Sequence, residues 1–216
     1  MKTLLSIVVA AILVRNLIMA WAAYATPGYS LSGDFLSELA AIDAPHQLLV
    51  TIWGPALTGA VLLAAGPALW TLWRRTTTEL AGAAMLTIAG VAYLGIALAP
   101  CDPGCTTANM GPRMTIHLIS GLVAMGGLLF AGLAMALGRI RAPADRRLGW
   151  ALLTTACFGV AAFFVLAVMG QTLQSPGLVQ RTAQFAGDLS VVGIVVVSWR
   201  KLVRMQEGRE LNESAS

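Results

Sequence analysis

The residues able to do chemistry in this 216-residue sequence are few. Cys101 and Cys105 flank Asp102-Pro103-Gly104, a tripeptide suited to a tight turn. Three chemistries fit the pair: an oxidised bridge, a thiol–disulfide redox couple, or a metal site completed by His117 and a carboxylate. The bridge is the first reading, because redox and zinc motifs more often leave two residues between their cysteines. Closing so small a loop contributes only about 2 kcal/mol in the chain-entropy model. Cys157, alone in an apolar stretch, reads as a small packing residue.

Asp34 and Glu38 stand four apart, so a helix would put them on one face. Like charges there would raise one pKa and poise an acid for proton donation; a solvated capping loop is the plainer alternative. Together with His46, His117 and Asp102 they offer general acid–base chemistry, with Asp34 or Glu38 as acid and His117 as base or ligand. For His117 a hydrogen-bonded place between helices competes with ligation, and for His46 a capping or interface role does. Arg113 and Arg181 suit a lipid phosphate or those acids, and join His46 and Asp102 as a substrate-binding set. There is no HExxH or GxSxG, and two histidines cannot form a three-histidine centre within one chain. No metal is therefore assigned, and no motif names a cofactor.

The elements that must position these residues are membrane spans. With 57% hydrophobic residues, 11% charged and a mean hydropathy of +0.77, the chain needs lipid as its solvent. Six stretches reach the roughly 20 apolar residues that a crossing helix needs. They fall at about 4–24, 47–73, 80–99, 114–138, 149–170 and 183–202, and predict an all-α polytopic bundle forming one domain over 1–216. Lys2, a short apolar run and Ala23-Tyr24-Ala25 resemble a cleavable leader, but Arg15 and Asn16 interrupt its core, so a retained first span is expected. Trp21, Tyr24 and Tyr29 at one end, and Trp70, Trp73, Trp150 and Trp199 at the other, form the expected interfacial belt.

Charge sets the orientation. One side holds Lys2, Arg74, Arg75, Arg139, Arg141, Arg146, Arg147, Arg200, Lys201, Arg204 and Arg209; the other holds only Arg113 and Arg181. The positive-inside rule then predicts a multi-pass plasma-membrane protein with both termini cytoplasmic. The histidines, Cys101 and Cys105 fall on the outer side, in or beside loops 25–46, 100–113 and 171–182. Ser32 is placed to cap a short helix carrying Asp34 to Leu39, lying on the surface or dipping into the bundle mouth. The net charge of +4 has a sufficient cause in topology and anionic lipid, and nothing resembles a nucleic-acid-binding pattern. Gly126, Gly127 and Gly132 in the fourth span admit close backbone approach.

Arg15 sits near the middle of the first span, where an ion costs roughly 2.5–3.5 kcal/mol on insertion scales and demands a partner. Counted from opposite ends, Asp188 reaches a similar depth. An Arg15–Asp188 ion pair is expected, with Asn16 and Gln184 completing its hydrogen bonds, as a lock between first and last helices or as a relay.

The Gly28-Tyr29-Ser30 turn, Ser32 to Leu39, Pro45, Pro100 to Cys105, His117 and Gly177-Leu178-Val179-Gln180-Arg181 resemble the bacterial membrane proteins grouped as domain of unknown function 998, over essentially the whole chain. Ala40 stands where that pattern has glycine. More faintly, the chain is similar to six-span DRAM and FRAG-type proteins linked to lipid remodelling. The resemblance implies six helices and a lipid connection, and carries over no catalytic residue. Membrane lipid is thus the expected partner, a homo-oligomer is compatible with it, and nucleic acid is excluded. The expected function is binding, sensing or organising lipid at the outer mouth; the alternatives are an enzyme acting on a lipid or isoprenoid there, and a proton-coupled transporter using Arg15 and Asp188.

Overall fold

The computed structural model describes residues 1–73, 76–106 and 110–214; Arg74 and Arg75, counted above among the basic residues, lie outside the described set. Six helices are long and apolar enough to cross a membrane. We number the long helices α1 (Lys2–Ala25), α2 (Gln47–Leu72), α3 (Thr77–Leu98), α4 (Pro112–Arg139), α5 (Arg146–Met169) and α6 (Pro176–Ser214). No strand occurs among the described residues. Large apolar side chains such as Leu17, Val91, Leu98 and Phe164 are exposed around the bundle. So much apolar surface would be untenable in water and is ordinary against hydrocarbon. The chain is a multi-pass membrane protein.

Each helix ends where its sequence withdraws support. α1 stops at Thr26-Pro27, where the Thr26 hydroxyl donates to the Ala22 carbonyl at 2.7 Å. α3 begins on Thr76, whose hydroxyl accepts from Glu79 N at 3.3 Å, and α4 begins on Pro112, which lacks only an N–H that a first turn leaves unpaired. α6 extends beyond its apolar stretch in both directions, from Pro176, another first-turn proline, into the charged segment after Leu202.

Within α2, Pro55 cannot donate to the preceding turn, and the helix widens into a π turn at Ile52–Ala56. Beyond this turn α2 and α3 close to backbone contact. A Cβ on Gly90 would lie 2.6 Å from Leu63 N and 3.0 Å from the Gly59 carbonyl, so only glycine permits the approach. In α4, a Cβ on Gly127 would come within 2.9 Å of Ala89, whereas one on Gly126 meets only ordinary contacts with Phe163 and Phe130.

The main core draws on all six long helices, α5 through Leu152, with Leu5, Leu69, Leu86, Leu128 and Ile194 almost fully buried. At the basic end it is closed by polar groups. Asp145 is buried and accepts from Arg204 Nη2 at 2.9 Å and Arg139 Nη1 at 3.4 Å, while Arg139 also pairs with buried Glu79. Trp73 departs from the expected belt. It is fully buried, donates Nε1–H to Ser198 Oγ at 3.0 Å, and carries the Lys201 ammonium 4.1 Å and the Arg139 guanidinium 4.6 Å from its ring centre. Two cations against one ring make this burial a cation–π contact; Trp21, Trp70, Trp150 and Trp199 do remain exposed.

Candidate functional site

Between the core and the loops of the opposite, cysteine-bearing end lies a cavity of about 440 Å³. Its floor is a buried polar cluster. Arg15 Nη2 pairs with Asp188 Oδ1, and Arg15 Nη1 donates to the Tyr93 hydroxyl at 3.2 Å. Asn16 Nδ2 donates to Asp188 Oδ2 at 2.9 Å and Gln184 Nε2 to Oδ1 at 3.1 Å, while the Tyr93 hydroxyl donates to Gln184 Oε1 at 3.1 Å. The carboxylate thus has three donors, as an ion held away from water requires. Arg15, Tyr93 and Gln184 face the cavity.

The walls are apolar and come from α4 and α5, with Leu118, Leu122 and Met125 opposite Phe163, Leu166 and Ala167. Gly121 leaves part of this space open, since a Cβ there would touch nothing within 4 Å. The rim residues Val168, Met169 and Leu122 are exposed on the bundle surface, at 66%, 50% and 36%. The cavity therefore opens sideways between α4 and α5, toward lipid.

The roof is a 3-10 helix, Leu36–Ala40, which dips inward with Leu39 and Ala40 buried. Its anchors are hydrogen bonds to α6: Leu36 N donates to Gln180 Oε1 at 2.5 Å and Leu178 N to the Ser32 carbonyl at 3.2 Å. Arg181 fastens the loop ahead of it, donating to the Leu31 carbonyl at 2.6 Å, the Asp34 carbonyl at 3.1 Å and the Tyr29 hydroxyl. Burial holds the Tyr29 phenol above its ordinary pKa, so it stays protonated while it accepts from Arg181.

The residues singled out from sequence are dispersed around this cavity. His117 is in its wall. Its Nδ1 lies 2.8 Å from the Ala99 carbonyl; a carbonyl only accepts, so Nδ1 carries the proton and Nε2 keeps a lone pair. Cys101 and Cys105 stand at disulfide distance with Cα atoms 5.3 Å apart, and Cys105 lines the cavity. Asp34 lies ahead of the short helix, accepting from Ser30 N at 2.7 Å, whereas Glu38 Oε1 accepts from Phe35 N at 2.9 Å within it. The two acids therefore share no helix face, because Ser30 and Asp34 close a turn of their own and Phe35, not Ser32, precedes the helix. Asp102 pairs with Arg113 on the surface, and His46 packs its ring 4.6 Å from that of Trp21.

Two groups in the wall have weaker sequence signals. Tyr93 lies within a span rather than at its end, as the exposed Tyr24 does, and its hydroxyl had to find a partner in hydrocarbon. Gln180 is visible only as one polar residue in a short loop.

Burial, more than the neighbouring Asp34, raises the Glu38 pKa above its ordinary value. The folded roof thus binds this proton more tightly than the unfolded chain, and its contribution is fully present below the unfolded pKa and lost as pH rises through the folded one. Hydrogen-exchange protection of Leu36–Ala41, corrected for intrinsic rates, is expected to fall as pH is raised from 4 toward neutrality. Glu38→Gln keeps the Oε1 acceptor and should flatten that profile; an unchanged slope in the variant would assign it to another group.

Fold and cavity together define a polytopic helical membrane protein with a lipid-accessible chamber beneath one face. Its family is shown by sequence: a family model described as protein of unknown function (DUF998) matches residues 8–197, and the chain belongs to that family. No curated protein and no solved structure matches it.

Proposed function

We propose that the cavity binds a neutral-headed amphiphile drawn from the membrane, in a plasma-membrane protein whose basic end, with both termini, faces the cytoplasm. The observation that carries this reading is the cavity's construction: apolar walls open sideways to lipid above a floor of fixed hydrogen-bonding groups. Such a site takes a hydrophobic chain along α4 and α5 and a polar head against Tyr93, Gln184 and Gln180. Arg15 is the only charged side chain among the described residues of the wall, and Asp188 neutralises it. A phosphate would have to compete with that carboxylate, so a hydroxyl, carbonyl or amide head is the better match. The orientation rests on the cation imbalance between the two ends.

The test is lipid extraction and mass spectrometry of the protein purified in mild detergent, comparing wild type with Gly121→Phe. The new ring enters open space, and replacing a mid-helix glycine removes a penalty of about 1 kcal/mol, so the variant is expected to fold. Wild type should carry a stoichiometric neutral amphiphile, and the variant should lose about 90% or more of it, the tenfold loss that 1.4 kcal/mol produces. Equal lipid content in two equally stable proteins would refute the reading.

A further inference from the structure

The cysteine pair and His117 meet at the wall of this cavity. The two Sγ atoms and a ring nitrogen of His117 lie within 4.8 Å of one another. The two sulfurs are not equivalent, since Cys105 lines the cavity while Cys101 is fully buried behind it. Cys101 Sγ lies 3.5 Å from the Ser37 carbonyl, a position from which a reduced thiol donates. The Nδ1–H of His117 is committed to the Ala99 carbonyl, so Nε2 is the ring atom free to take a proton. A redox-capable pair, a base and an apolar chamber with donors on its floor thus share one site.

We infer that the site oxidises its own dithiol with a membrane quinone. This deepens the reading of the cavity as a site for a neutral amphiphile and rests on it. A quinone has an isoprenoid tail for the walls and carbonyl oxygens that only accept, for which the cavity offers the Gln180 amide N–H, whose Oε1 alone is engaged, by Leu36 N. In the reduced protein His117 takes the Cys105 proton, and the thiolate bonds to a quinone ring carbon as an electron pair moves onto a quinone oxygen. The Cys101 thiolate then attacks Cys105 Sγ: the S–S bond forms, the S–C bond breaks, and its electron pair leaves on the ring. The two thiol protons end on the two quinone oxygens. One dithiol has become one disulfide, and one quinone has become one quinol. The structure, with its sulfurs at bonding distance, corresponds to the product state. Thiol–disulfide exchange with a dithiol on the aqueous side returns the pair to the reduced state.

The experiment uses the full chain in lipid nanodiscs, reduced and freed of reductant without oxygen, and a fully substituted benzoquinone with a decyl tail as probe. Quinone absorbance and maleimide mass-tagging follow the two half-reactions. One quinol and two lost thiols per chain are expected, at least about 100-fold faster than for the same reduced chain unfolded in dodecyl sulfate. The pre-oxidised chain, which needs no substitution, should reduce none. His117→Ala should retain both thiols yet react about 100-fold more slowly. Persistent thiols while the quinone still displaces the co-purified amphiphile from the cavity would overturn the redox step and leave the binding site standing. Neither displacement nor reduction would overturn both. A metal ion bound one per reduced chain, with the thiols silent toward quinone, would also overturn it in favour of thiolate ligation.

Discussion

Asp188→Ala is expected to cost about 3–5 kcal/mol of stability, because it leaves the Arg15 guanidinium buried without its counter-ion. Three donors, on Arg15, Asn16 and Gln184, lose their common acceptor at once. Replacing both charges is a different perturbation. Arg15→Met combined with Asp188→Leu removes the uncompensated ion along with its partner, and such exchanges of buried pairs for apolar groups are often neutral. Thermal unfolding in mild detergent, followed by tryptophan fluorescence, should show the single variant strongly destabilised and the double one largely restored. The reversed pair, Arg15→Asp with Asp188→Arg, should recover part of the loss if its geometry can be met. Additive losses in both double variants would show that the two residues act independently. If the pair is a lock between α1 and α6, the apolar double variant should also keep its bound amphiphile.

Gly177→Val is expected to lift the roof. A Cβ at this position would collide with the Asp34 carbonyl and crowd the Arg181 guanidinium, and one of those neighbours is backbone that cannot rotate away. The segment before the 3-10 helix is held to α6 through Ser32, Leu36 and Arg181, so displacement at Gly177 strains every anchor together. Overpacking of this kind costs about 1–3 kcal/mol. Because the strain is local, it should appear as roughly 5- to 150-fold faster amide exchange over the roof segment, with the spans unchanged. Arg181→Ala removes the clamp without adding bulk and should move exchange the same way. Unchanged exchange in both variants would mean that the roof is held from elsewhere.

The parts of this structure that sequence makes legible are those that depend on sums over many residues. Six spans and the asymmetry of charge between their ends emerge because each is averaged over a whole stretch, so no single side chain decides the outcome. Arg15 and Asp188 can be matched because an ion in hydrocarbon is costly enough to require a partner and depth along a helix can be counted; the structure places them in contact. Short-range geometry is less accessible. A four-residue spacing puts Asp34 and Glu38 on one face only if both are helical, and a turn closed by Ser30 takes Asp34 out of the helix. Trp73 has the composition of an interfacial residue, but Lys201 and Arg139 draw it inward. The cavity itself arises from absent volume, at Gly121 and where the 3-10 helix dips between spans, and absence leaves little trace in hydropathy.

The most direct test of the central claim is where a neutral amphiphile sits. A monoacylglycerol carrying a photoreactive diazirine on its chain, incorporated into nanodiscs with the protein and activated by light, marks the residues its tail touches. Labelling is predicted to concentrate on Leu118–Met125 of α4 and Phe163–Met169 of α5, and to be displaced by unlabelled monoacylglycerol. Labels spread evenly over the lipid-exposed surface, at Leu17, Val91 and Leu98 as much as at the cavity, would contradict it.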